Sequence, residues 1–472
     1  MEKIQKRNLL IYLAVSTVSF FVLVTPARAG VSVPIFICLQ FACVYFFAPK
    51  KKPLLMFIPL VLLALNAFIS ANPMWRVPNF FVAAALCGVM TLWMTGRFTI
   101  KGKLLGFIFE TLLSMVEPIL HFSQPVKWCV ESRKEHVGTF KRVAIGVVIA
   151  IPCLIFLLVM LSNADMIFAR AVDNFFWRLL ELMNFRTIFS FVLSIAAGFY
   201  LFGMLHSVLS AKTEDKEDTG IVKTRKGDLL ILNIVLVSIL LIYTLFVAIQ
   251  FRYLFANAEN LPFGLTFVTY ARRGFFELMF LSAINITFIL IAVWLTRKQS
   301  GSGARFTKAL LLYLCAVTMI LLVSSFYRMW LYGADDGLTR MRFKVFGFLI
   351  FKAVGLIATF VYVLKPKFNI AAVYCVVALT YYLLLNLVPM DRIVAKSQID
   401  RYFQTGSGGT YYVMTLSPDA APEIARLLES GNPDTREKAR EFFRTDFAEQ
   451  SGWRQWNLSV DRFSRHRRIA LR

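Results

Sequence analysis

The chain has 472 residues, of which 58% are hydrophobic and 17% charged, with a net charge of +24 and a mean hydropathy of +0.64. Soluble domains carry roughly 25% charged residues, and this chain instead repeats apolar runs near the ~20 residues that cross a bilayer, which excludes a soluble fold. The basic residues are scattered through short loops rather than gathered on one face, so the charge points to membrane lipid headgroups and excludes nucleic acid.

Taken in order, the apolar runs predict eleven spanning helices, at 8–25, 31–48, 54–71, 79–95, 143–161, 186–207, 229–251, 274–296, 309–326, 345–364 and 369–388. Lys3, Lys6 and Arg7 precede the first run, and Ala27-Arg28-Ala29 resembles a signal-peptidase site. The second run begins at Val31 and leaves almost no extended chain between the two, so an uncleaved first helix is expected. The stretch 104–122 is apolar but interrupted by Glu110, Glu117 and Pro118, and reads as an interfacial amphipathic helix, as does 164–184. Eighteen lysines then fall in the loops on the N-terminal side and only one in the loops on the other. Cytoplasmic loops are the lysine- and arginine-rich ones. The N-terminus is therefore expected in the cytoplasm and, after an odd number of spans, the C-terminus outside.

From Asp391 the composition turns polar, which predicts two units, a transmembrane part at 1–390 and a small helical extracytoplasmic tail at 391–472. Ser417-Pro418 and Asn432-Pro433 each place a capping side chain before a proline suited to the first helical position. A third tail helix is expected from near Asn457 through the basic stretch 462–468. The fold class is all-α.

Six of the seven cysteines lie inside apolar runs and no CxxC occurs, which argues against a disulfide scaffold. The four histidines are dispersed without metal-ligand spacing, so no metal and no cofactor are expected. No phosphate-binding glycine loop, HExxH or GxSxG appears. What stands out is arginine beside aromatic residues in the loops assigned outside. Arg272, Arg273, Arg328, Tyr332, Arg340 and Arg342 offer planar donor forks and stacking surfaces for an anionic lipid or glycan, although interfacial anchoring accounts for the same residue types. Asp335-Asp336 is an acidic pair in a glycine-flanked loop, more often a turn than a metal or acid/base site. Lys352 lies inside the tenth span and is expected to pair with Glu277 near the mouth of the eighth.

Several stretches resemble a bacterial multi-pass membrane family known as domain of unknown function 4173. They are TYARRGFFEL at 269–278, YRMWLYGADDGLTRMR at 327–342, PMDRIVAKSQIDR at 389–401, YYVMTLSPDAAPEI at 411–424 and WRQWNLS at 453–459. The resemblance implies a bacterial cytoplasmic-membrane location and supplies neither catalytic residues nor a substrate. The expected function is that of a non-enzymatic envelope protein, binding an anionic lipid, a glycan or a membrane protein partner at its outer face. The alternatives are a transporter or flippase working through Lys352 and Glu277, and a lipid-linked transferase using Asp335 or Asp336.

Overall fold

The computed structural model describes residues 3–25, 30–47, 51–97, 104–131, 185–210, 228–253, 275–296, 299–365, 368–406, 409–445, 447 and 452–471, with isolated positions between 150 and 170. All regular structure among them is helical. The first seven helices are α1 (Lys3–Leu23), α2 (Ser32–Phe47), α3 (Phe57–Ile69), α4 (Arg76–Met94), α5 (Leu104–Leu120), α6 (Ser123–Glu131) and α7 (Phe185–Ser210). They are followed by α8 (Leu229–Tyr253), α9 (Phe275–Thr296), α10 (Ser302–Asp336), α11 (Arg340–Leu364) and α12 (Ile370–Leu387). The C-terminal part holds α13 (Met390–Thr405), α14 (Pro433–Arg444) and α15 (Leu458–Ala470), with short turns of helix between α13 and α14.

Nine helices among the described residues are long and apolar enough to cross a membrane. The count of eleven is not confirmed among the described residues. The segment expected at 31–48 forms a helix of 16 residues, short of the membrane-length set, and most of 143–161 lies outside the described residues. α8 is suited to a lipid surrounding, since only 11% of its most apolar stretch is buried by protein. A helix apolar all round and left uncovered is stable only in hydrocarbon.

The spans collect into two packed groups. Leu9, Val44, Leu60, Leu63, Met90, Trp128 and Phe202 centre the first, built from α1–α4, α6 and α7. Leu236, Ile289, Leu314, Leu349 and Leu356 centre the second, built from α8–α11. α12 lies between them. Its Tyr374 donates to the Gly355 carbonyl of α11 at 3.0 Å, and its Tyr382 donates to Asn79 of α4 at 2.6 Å.

α5, expected as an interfacial helix, packs one face on its neighbours. Its buried stripe is Phe107, Thr111 and Ser114, while Ile108, Phe109, Leu112, Leu113, Val116 and Ile119 are exposed. It runs along α4 and α7, with Ser114 against Gly88 and the Pro118 carbonyl against Gly203. Its Glu117 is held at the end of α4 by the Arg97 guanidinium at 2.8 and 2.9 Å.

α10 has 35 residues, about 50 Å at 1.5 Å per residue, and so outreaches a hydrocarbon core of roughly 30 Å. It ends at Gly337, whose φ of 74° turns the chain into α11, so that Asp335 and Asp336 belong to the helix and not to a loop. Beyond α12, a third group of apolar side chains (Val394, Ile399, Leu427, Phe442, Phe443 and Phe463) packs the C-terminal helices together, with Met74 and Leu338 from the connections between helices and Phe343 of α11 against it. Asn432 caps α14 and Asn457 caps α15 as their positions before the helices dictate. Ser417 makes no side-chain cap. Pro418 and Pro422 break the helix expected there into 3-10 and α turns between Pro418 and Glu429.

Candidate functional site

The C-terminal helices meet the spans at one buried carboxylate. Asp391 occupies the first turn of α13, where the helix dipole favours an anion, and its side chain is fully buried. Arg340, the first residue of α11, grips it with Nε and Nη2, both at 2.7 Å. Asn72, in the connection between α3 and α4, donates at 3.2 Å, and the Ser417 backbone N–H at 3.0 Å. One side chain thus ties the first group of spans, the second group and the C-terminal helices. Burial alone would push the Asp391 carboxyl up, but the guanidinium and the Ser417 donor outweigh it and hold the group below the usual carboxylate range.

A second acid, Asp419, touches the same connection. It accepts from the Ser70 hydroxyl and from the Ala71 N–H at 3.0 Å. Here burial dominates, and the carboxyl is raised above its ordinary value. Asn457 adds two bonds to the carbonyls of Ala67 and Ser70, at 2.8 and 2.9 Å, and the Val31 N–H donates to the Trp456 carbonyl at 3.0 Å.

Beneath this junction lies a cavity of about 930 Å³, at the upper end of the roughly 300–1,000 Å³ typical of ligand sites. Its walls are largely apolar, formed by Val33 and Ile37 of α2, Leu60, Leu63, Ala64 and Ala67 of α3, and Phe80 and Ala83 of α4, with Asn66 of α3 the polar exception. Its rim is polar, with Asn72, Arg76, Asn79, Arg340, Ser417 and Asn457. Arg340 is already neutralised by Asp391. Arg76 is exposed at the rim and makes no ion pair among the described residues, so it supplies the uncompensated positive charge. Such an arrangement can hold an amphiphile, with hydrocarbon against α2–α4 and a head with acceptor oxygens among carboxamides and one guanidinium.

The residues singled out from sequence do not gather into one site. Arg272 and Arg273 lie outside the described residues. Arg328 is buried within α10. Tyr332, Asp335 and Asp336 fall in the last turns of α10, with their side chains outside the described set. Arg340 is committed to Asp391, and Arg342 donates to the Gly337 carbonyl, closing the turn between α10 and α11. Lys352 does join α11 to α9, but through the Ser282 hydroxyl and the Met279 carbonyl, while Glu277 stays exposed. Sequence reading passed over Asp391, Asn72, Arg76 and Asp419. The available signal was the set of asparagines, Asn66, Asn79 and Asn386, standing inside or beside apolar runs on the helices that enclose the cavity or pack on it.

No curated protein and no solved structure matches the chain significantly. Comparison with family models does not confirm the family numbered 4173 that the C-terminal motifs resemble. It matches residues 57–427 to a domain of unknown function, DUF4153, and on that match, which spans most of the sequence, the chain belongs to the DUF4153 family.

Proposed function

We propose that this integral membrane protein binds an amphiphilic, singly anionic lipid in the cavity under its C-terminal helices, without transforming it. The observation that carries the reading is the composition of the cavity, mostly apolar along α2–α4 apart from Asn66, with carboxamides and Arg76 gathered toward the end where the C-terminal helices close over it. The lysine asymmetry supports placing that rim in the outer leaflet. The connections after α1, α3 and α10 all touch the C-terminal part, through Val31 and Trp456, Asn72 and Asp391, and Leu338 and Gln398, which agrees with their sharing one side.

The test is native mass spectrometry of protein released gently from its membrane. Wild type is expected to carry a discrete lipid adduct. Ala67→Trp, which fills the cavity from α3, is expected to lose it, and Arg76→Gln to lower its occupancy. An adduct of the same mass and occupancy on Ala67→Trp, or a wild type with none, would overturn the proposal.

A further inference from the structure

The cavity carries more polar detail than a hydrocarbon slot with a charged mouth needs. Arg76, Asn79, Phe80 and Ala83 follow one another at helical spacing, and all line it from α4. Asn79 is therefore about 4.5 Å deeper than Arg76 at 1.5 Å per residue. Asn66 lines it from α3, about 6 Å below Ser70 at the rim. Two carboxamides thus stand roughly one helical turn beneath the mouth.

Both are held from behind by α12. The Tyr382 hydroxyl donates to Asn79 Oδ1 at 2.6 Å, so the carbonyl end of that side chain is engaged and it meets a ligand through Nδ2. The Tyr382 ring stands edge-on to Trp75 at 5.9 Å, and the Tyr382 carbonyl accepts from Asn386 Nδ2 at 3.0 Å. Asn386 in turn accepts from Asn66 Nδ2 on its own carbonyl at 2.6 Å. A donor oriented in advance loses little freedom when a ligand arrives. Below the carboxamides the wall continues to Leu60, about 15 Å from Ser70. That is half of the roughly 30 Å hydrocarbon core, the depth of one leaflet. The cavity therefore offers a cationic donor at its mouth, a neutral donor one turn down, and then apolar wall for one leaflet. In an acyl glycerophospholipid the ester carbonyls stand between the phosphate and the chains, in that same order.

We propose that the cavity selects an ester-linked glycerophospholipid, with its phosphate on Arg76 and one ester carbonyl accepting from Asn79 a turn deeper. This rests on the lipid reading given above and narrows it to a chemical class. An ether-linked lipid has the same phosphate and the same chains, but carries two hydrogens where the carbonyl oxygen would be. It leaves the Asn79 donor without that acceptor, away from water. Tyr382 is a positioning residue and acts only through the orientation of Asn79.

The experiment is native mass spectrometry of the delipidated full chain offered equal amounts of dimyristoyl phosphatidylglycerol and its dialkyl ether analogue, which differ in mass. Wild type is expected to carry the ester lipid about three- to tenfold in excess, the worth of one hydrogen bond. Arg76→Gln should lower both adducts and keep their ratio, since the phosphate is common to them. Asn79→Ala should bring the ratio near one. Tyr382→Phe, which keeps the ring against Trp75, should lower the ratio, and serves alone if Asn79→Ala does not fold. Equal adducts on wild type, or a ratio that neither variant alters, overturn the selection. The cavity reading survives that result if Ala67→Trp loses both lipids. Neither lipid on wild type overturns the cavity reading and the selection together.

Discussion

Asp391 and Asp419 lie on either side of the same connection, and their surroundings set them opposite tasks. Asp391 is an anion held by a bidentate guanidinium. Removing its charge leaves the Arg340 guanidinium, only 30% exposed, without its counter-ion. Asp391→Asn is expected to cost about 3–5 kcal/mol, read as a lowered apparent Tm in detergent. Its folded-state pKa is depressed, so its contribution is complete above the ordinary carboxylate pKa and disappears as pH falls through the folded value. Asp419 is raised by burial, so it opposes folding increasingly as pH climbs from the ordinary carboxylate pKa through the folded value. Thermal stability should therefore show a component that grows on acidification through that window and is absent in Asp419→Asn. That variant is expected to be nearly neutral at pH 7, and a cost equal to that of Asp391→Asn would contradict this division of labour. Neither acid was legible as a site in the sequence. An aspartate following the last apolar run looks like any helix-capping residue until Arg340, 51 positions earlier, folds onto it.

Among the elements, α5 and α9–α11 show what packing adds to patterning. Glu110, Glu117 and Pro118 make 104–122 look too polar to lie among spans, yet Arg97 pairs with Glu117, and two glycines let the helix seat closely. A methyl group on Gly203 would overlap the Pro118 carbonyl, which is backbone and cannot step aside. Gly203→Ala is expected to push α5 from α7 at about 1–3 kcal/mol, measured by thermal unfolding beside the exposed-site control Lys438→Gln. The depth of Lys352 could be read from sequence, but its partner could not. Glu277 precedes Ser282 by five residues, more than a helical turn, and it is the serine that faces α11. Because a buried charge in an apolar span is stabilised only by its acceptors, Lys352→Met should be neutral to within about 1.5 kcal/mol. Ser282→Ala, which leaves the ammonium one acceptor short, should cost about 1–3 kcal/mol.

At the scale of the whole molecule, two groups of spans communicate through α12 and are latched at one end by Asp391. The C-terminal helices hold that latch and close the cavity together, so loss of one should open the other. The Asp391→Asn protein is expected to lose its lipid adduct along with its stability, a coupling that the same mass-spectrometric measurement reads. The proposed orientation is checked separately. In a chain without native cysteines, Arg436→Cys on α14 should react with an impermeant maleimide added outside intact cells. Lys308→Cys, at the start of α10, should react only after lysis. The reverse pattern would invert the topology and move the proposed ligand to the opposite leaflet.

By itself the sequence determined the solvent of this protein, its helical class, the approximate borders of most of its spans and the grouping of its lysines. These depend on runs of neighbouring residues, and a bilayer acts on each run independently of the rest. Tertiary structure alone decided that α5 packs against α4 and α7, that Arg340 is occupied by Asp391, and that a largely apolar cavity closes under the C-terminal helices. The reason is that each of these needs side chains far apart in the chain to meet within a few ångströms, and the local pattern is the same whether they meet or not.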